Sequence, residues 1–110
     1  MILLALGLAC VSDELESANP DCVGVSEVTW DGFAHGFFTT YCTSCHSVNN
    51  TDTRYGAPTD ANFDSEADLI RQADRVRARV LVEATMPIGG GVYDTDLTLL
   101  DAYLTCTMGL

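Results

Sequence analysis

The chain has 110 residues, 47% of them hydrophobic, with sixteen acidic side chains against five basic ones and a net charge of −11. That length holds one small domain, the apolar share is ordinary for a globular core and excludes global disorder, and no apolar run approaches the roughly 20 residues needed to cross a bilayer. All five basic residues are arginines, and so acidic a surface without lysine repels nucleic acid and anionic headgroups, which leaves a basic protein face as the expected docking partner.

Residues 1–9, Met-Ile-Leu-Leu-Ala-Leu-Gly-Leu-Ala, have the composition of the apolar part of a secretory signal and run directly into Cys10. Residues 10–28 read as an acidic tether containing Asp13, Glu14, Glu16 and Asp21. The domain proper is expected over 29–110. Its first helix opens near Trp30 and carries Phe33, Phe37, Phe38 and Tyr41, an aromatic face. A loop from Ser47 to Asp64, rich in Asn, Thr, Asp, Gly and Pro, follows. Ser65-Glu66-Ala67-Asp68 reads as a capping box. It opens a second helix whose apolar positions Leu69, Ala73, Val76 and Val80 form one stripe, and this helix is expected to end at Met86-Pro87. The last helix is expected to start near Thr95 and to carry Leu97, Leu100, Tyr103 and Leu104 before Cys106. No stretch alternates as a strand, so the fold class is all-α.

Between the first helix and the loop stands Cys42-Thr43-Ser44-Cys45-His46, the C-x-x-C-H signature of covalent c-type haem attachment. Two thiols at that separation suit the two vinyl groups on one edge of a haem, and the next histidine reaches the iron. A thioredoxin-like C-x-x-C belongs in a βαβ pattern that is missing here. Structural zinc needs a second ligand pair, and no second C-x-x-C or H-x-x-x-H occurs, which leaves His35 or another cysteine as the remaining donors. His35 shares the helix of the thiols and is read as a surface residue. Forty residues beyond His46 comes Met86-Pro87-Ile88-Gly89-Gly90, a thioether in a backbone stiffened by proline and shaped by glycine. Soft sulfur suits ferrous iron, so Met86 is the candidate ligand for the opposite face, the alternative being a core filler.

Together these positions resemble the class I mono-haem c-type cytochromes over roughly residues 29 to 106. Phe38 stands four residues before the first motif cysteine and Ala34 four before that. Pro58 stands twelve residues after His46, and Leu100 and Tyr103 lie three apart on the last helix. The family normally has glycine at the place of Ala34 and Gly-Pro at the place of Ala57-Pro58. The resemblance implies a small fold of three to four helices around one haem c per chain. It implies Cys42 and Cys45 as attachment points, His46 and Met86 as iron ligands, and the Pro58 carbonyl as acceptor of the His46 ring N–H, unless Pro58 only forms a turn. With both iron positions filled it further implies an electron carrier rather than an enzyme, passing single electrons between redox partner proteins. The alternatives are a haem-based sensor or gas-binding module with a labile sixth ligand, or the haem subunit of a larger oxidoreductase.

Haem attachment to paired thiols implies export, to the periplasm or to a lipoprotein facing the periplasm or cell surface. Three cysteines then remain. Cys10 is either the lipidation site of a lipoprotein or part of an ordinary leader, and Cys22 and Cys106 are either a disulfide or two buried thiols. The arginines, four of them between Arg71 and Arg79, are read as a solvated helix face, with Arg54 and one of the run as competing candidates for the haem propionates.

Overall fold

A computed structural model describes residues 20–110; the leader of 1–9, Cys10 and the tether as far as residue 19 lie outside the described residues. Three helices carry the chain: α1 (His35–Tyr41), α2 (Glu66–Val76) and α3 (Asp94–Ala102). No strand occurs among the described residues. Each helix is extended by a π-helical segment, Trp30–Ala34 before α1, Arg77–Val82 after α2 and Tyr103–Thr107 after α3. A short 3₁₀ turn, Pro20–Cys22, precedes them.

The start of the first helix is set by Thr29, whose hydroxyl accepts the Gly32 N–H at 2.9 Å in the manner of an N-cap. A methyl group at position 32 would lie 2.7 Å from that hydroxyl, so glycine is what lets the cap approach. The second helix opens on Ser65 as its sequence implies: Ser65 Oγ accepts the Asp68 N–H and the Asp68 carboxylate accepts the Ser65 N–H. Its stripe is buried throughout, at Leu69, Ala73, Val76 and Val80. The helix ends earlier than Met86-Pro87. The helical segment ends at Val82, and Ala84 then takes a left-handed φ of 53°. Arg79 O accepts the N–H groups of both Thr85 and Met86, so the turn satisfies the helix's own terminal carbonyl.

The stripe of α2 joins Ala34, Phe37 and Phe38 of the first helix and Leu100, Tyr103 and Leu104 of the third in one core. Ala34 is fully buried there, where a small side chain lets helix backbones approach. Fully burying a side chain of Leu or Phe size contributes about 1.5–3 kcal/mol, which makes this cluster the main source of stability. Polar ties fix the helices around it. Tyr41 Oη donates to Asp96 of α3 at 2.9 Å, and Arg77 donates to Asp101 at 2.9 Å and to Thr105 at 2.9 Å. Cys22 and Cys106 are joined in a disulfide that fastens the segment before the first helix to the end of the third. Their sequence separation of 84 gives a nominal chain-entropy stabilisation of about 4.5 kcal/mol.

Tyr103 donates its hydroxyl to Glu66 at 2.7 Å, tying the end of the third helix to the first turn of α2. Burial raises its phenol above the ordinary value, and the Glu66 carboxylate raises it further. Tyr41 is raised as well, first through its hydrogen bond to Asp96. Both folded-state values lie above the unfolded value of about 10. Their contribution to stability is therefore complete below pH 10 and is lost as pH rises beyond it. The urea midpoint is expected to fall from pH 9 to pH 11, and a Tyr41→Phe/Tyr103→Phe double variant should show a shallower fall; equal slopes would refute this assignment.

Candidate functional site

The Cys42–His46 motif lies on the turn that leaves α1. Phe38 O accepts the Cys42 N–H at 2.9 Å, and Cys42 O accepts the Cys45 and His46 N–H groups at 3.2 and 2.9 Å. One compact turn thus presents two thiols and an imidazole together. Cys42 and Cys45 are both free and half-buried. Burial pushes the Cys42 thiol up to about 12, with neighbouring Cys45 adding to the shift.

These three side chains border a cavity of about 550 Å³, a volume within the range of small-molecule and cofactor sites. Phe38 and Phe63 form one wall, Val76 and Val80 of the second helix another, and Met86, Pro87 and Ile88 a third. Met86 therefore borders the same space as the thiols and His46, although forty residues separate it from the histidine in the chain. The Met86 loop is shaped by Gly89, Gly90 and Gly91, at φ values of +85°, +70° and +85°. Three consecutive left-handed residues are a conformation that only glycine holds cheaply. The bond between Met86 and Pro87 is cis.

The His46 ring is held from two directions. Its Nδ1 lies 2.8 Å from Ala61 O, and Phe63 meets the ring edge-on at a centroid distance of 5.5 Å. With Nδ1–H donating to a carbonyl, Nε2 keeps the lone pair that can bind a metal. The acceptor is Ala61 and not Pro58, three residues earlier. Pro58 O instead accepts the Ala61 N–H at 3.1 Å and an Arg54 N–H at 2.8 Å. Pro58 begins a turn, and that turn carries the chain to the carbonyl facing the histidine. Pro58 itself borders the cavity.

Arg54 is the hub of the loop between the motif and α2. Its guanidinium donates to the carbonyls of Ser47 at 2.5 Å, Ala57 at 3.4 Å, Pro58 at 2.8 Å and Ala61 at 3.3 Å, and to Asn62 Oδ1 at 2.8 Å. Asp64 closes the loop by accepting from Ser47 Oγ at 2.6 Å and the Val48 N–H at 2.8 Å. Neither role is visible in sequence. Arg54 is the one arginine of that loop, but nothing marks its partners, because most are main-chain carbonyls. With its donors engaged in this way, Arg54 is a loop organiser rather than a free propionate donor.

Three of the five arginines, Arg54, Arg75 and Arg79, border the cavity, and none of the acidic side chains among the described residues does. Arg79 pairs with Glu83 at 3.3 Å, while the Arg75 side chain makes no hydrogen bond or ion pair among the described residues. In a chain of net charge −11 the cavity is thus a cationic site with apolar walls. No group of three or more His, Cys, Asp or Glu side chains able to hold a bare metal ion is present among the described residues.

No family model matches the chain, and neither a curated protein nor a solved structure matches it. Trp30, His35 and Met108 are not among the residues that line the cavity. His35 is exposed and stacks on Trp30 at 5.5 Å, and Trp30 packs on Phe38 at 6.0 Å, behind the cavity wall. Tyr55 borders the cavity and is exposed. Met108 packs against the helical core. Among the described residues no helix is long and apolar enough to cross a membrane. Cys10 lies outside the described residues.

Proposed function

We propose that this chain is a class I c-type cytochrome domain that carries single electrons on one covalently attached haem. The observation that carries this reading is the convergence of Cys42, Cys45, His46 and Met86 on one apolar cavity bordered by arginine. The donor set fits the group. Cys42 and Cys45 would hold haem by thioether bonds, His46 Nε2 and the Met86 thioether would ligate iron, and Arg75 and Arg79 would meet the propionates. When bound, the iron supplies a one-electron ferric/ferrous couple.

The chain's own residues do the rest. Ala61 O and Phe63 fix the orientation of His46, so that the imidazole changes little between oxidation states. Phe38, Val76 and Val80 exclude water from the cavity wall and favour the less charged, reduced state. The acidic surface favours a redox partner with a basic docking face, through a small, transient interface. A disulfide between Cys22 and Cys106 suits an oxidising compartment, in keeping with an exported protein. Lipidation of Cys10 belongs to the same proposal.

The test is a pyridine haemochrome and a reduced-minus-oxidised spectrum of protein made with a haem-attachment system. A c-type spectrum supports the reading, and colourless protein with Cys42 and Cys45 unmodified refutes it. Met86 is 37% exposed, which favours a second reading, a gas-binding module with a labile thioether. The two diverge on carbon monoxide. An electron carrier excludes it at rest, and Met86→Ala is expected to admit it, abolish the iron–sulfur charge-transfer band and lower the potential. Carbon monoxide binding by the wild-type chain at rest would replace the carrier by the sensor.

A further inference from the structure

Ala61 O serves two donors. His46 Nδ1 lies 2.8 Å from it, and Arg54 Nη2 donates to it at 3.3 Å. A carbonyl oxygen has two lone pairs and can accept both, yet a cation on one weakens it as an acceptor for the other. Arg54 cannot easily leave. The same guanidinium bridges Ser47 O on one side and Pro58 O and Asn62 Oδ1 on the other. Asn62 is itself buried and braced, its Nδ2 donating to Thr59 O at 2.9 Å. The loop therefore holds a fixed positive charge one hydrogen bond removed from the imidazole.

We propose that Arg54 is a positioning residue that sets the reduction potential through the Ala61 carbonyl. This rests on the reading of His46 as an iron ligand. A histidine whose N–H donates to a strong acceptor gains basicity and donates more charge to its metal. By drawing on the shared carbonyl, Arg54 limits that gain, keeps His46 a weaker donor and so favours ferrous over ferric iron. The direction follows: removing Arg54 frees the carbonyl, strengthens the His46 N–H···O bond and lowers the potential.

Loss of a nearby positive charge also lowers a potential, so charge and hydrogen bond have to be separated. Arg54→Gln removes both, whereas Arg54→Lys keeps the charge but lacks the planar fork that spans Ser47, Pro58, Ala61 and Asn62. The experiment uses holoprotein, with two readouts: the midpoint potential, and the His46 Nδ1–H proton resonance of the diamagnetic ferrous form. Both variants are expected to lower the ferrous/ferric equilibrium constant at least threefold, about 28 mV for a one-electron couple. Both are also expected to move the Nδ1–H resonance downfield and to keep the iron–methionine band. A lysine variant with wild-type potential and an unmoved resonance would show a through-space charge effect alone and overturn the proposal. If Arg54→Gln fails to fold, the lysine variant decides. A wild-type chain that takes up no haem fails the cytochrome reading instead, so the two failures are distinguishable.

Discussion

A Cys42→Ala/Cys45→Ala variant made beside a haem-attachment system is expected to carry no covalently bound haem. The wild-type chain is expected to gain the mass of one haem, retained after denaturation. Five cysteines are present, Cys22 and Cys106 are joined, Cys10 lies outside the described residues, and among the described residues only Cys42 and Cys45 are free thiols, both bordering the cavity. His46 and Met86 remain in the variant, so the sharpest readout is extraction by acid and ketone rather than colour. Any pigment in the variant should leave with the solvent, while the wild-type pigment should stay with the protein. Single variants should fall between, with one thioether, one surviving vinyl group and a red-shifted haemochrome band. Wild-type protein that gains no mass, with both thiols open to alkylation after denaturation, would remove the basis of the proposed function.

How much of this could be read from sequence varies with the range of the interaction concerned. The Ser65–Asp68 capping box is local, and its four residues suffice to identify it. The stripe Leu69, Ala73, Val76 and Val80 is periodic, and all four positions are buried. The first helix, expected near Trp30, begins there, but its opening turn is π-helical, and sequence carries no code for that bonding pattern. The last helix starts at Asp94, one residue from the expected Thr95. The second helix was harder to delimit. Proline at position 87 marks where a helix cannot continue, whereas the left-handed Ala84 is what ends it, an unfavourable conformation held by the turn back to Arg79 O.

The site divides along the same line. Side-chain chemistry picked out the motif and Met86, and the structure brings these residues to one cavity. Main-chain chemistry stayed hidden. The acceptor for His46 is a carbonyl, which every residue carries, so the family resemblance implied Pro58, with a turn former as the alternative, while the turn that Pro58 starts delivers Ala61. Arg54 was hidden for the same reason, since four of its five partners are carbonyls. The Tyr103–Glu66 bond spans 37 residues, and only the folded helices bring the two together.

Tyr103→Ala is expected to be the most destabilising single substitution in the domain, at about 3–5 kcal/mol. Tyr103 is fully buried and heads the fully buried side chains in volume. Truncation opens a hole in the core it forms with Phe38, Leu69, Leu100 and Leu104, and leaves Glu66 without its phenol partner. Domains of this size hold about 5–15 kcal/mol in all, so the loss is roughly a third to a half of a mid-range total. Tyr103→Phe separates packing from hydrogen bonding. It keeps the ring and removes only the donor, and half-exposed Glu66 can turn to water, so about 1 kcal/mol is expected. Urea unfolding at pH 7, followed by far-UV circular dichroism, should therefore rank the wild type just above the phenylalanine variant and both well above the alanine variant. Because the phenol is protonated at pH 7, that ranking reads packing without the alkaline contribution. Near-equal losses for the two variants would mean that the hydroxyl, and not the ring, secures the end of the third helix.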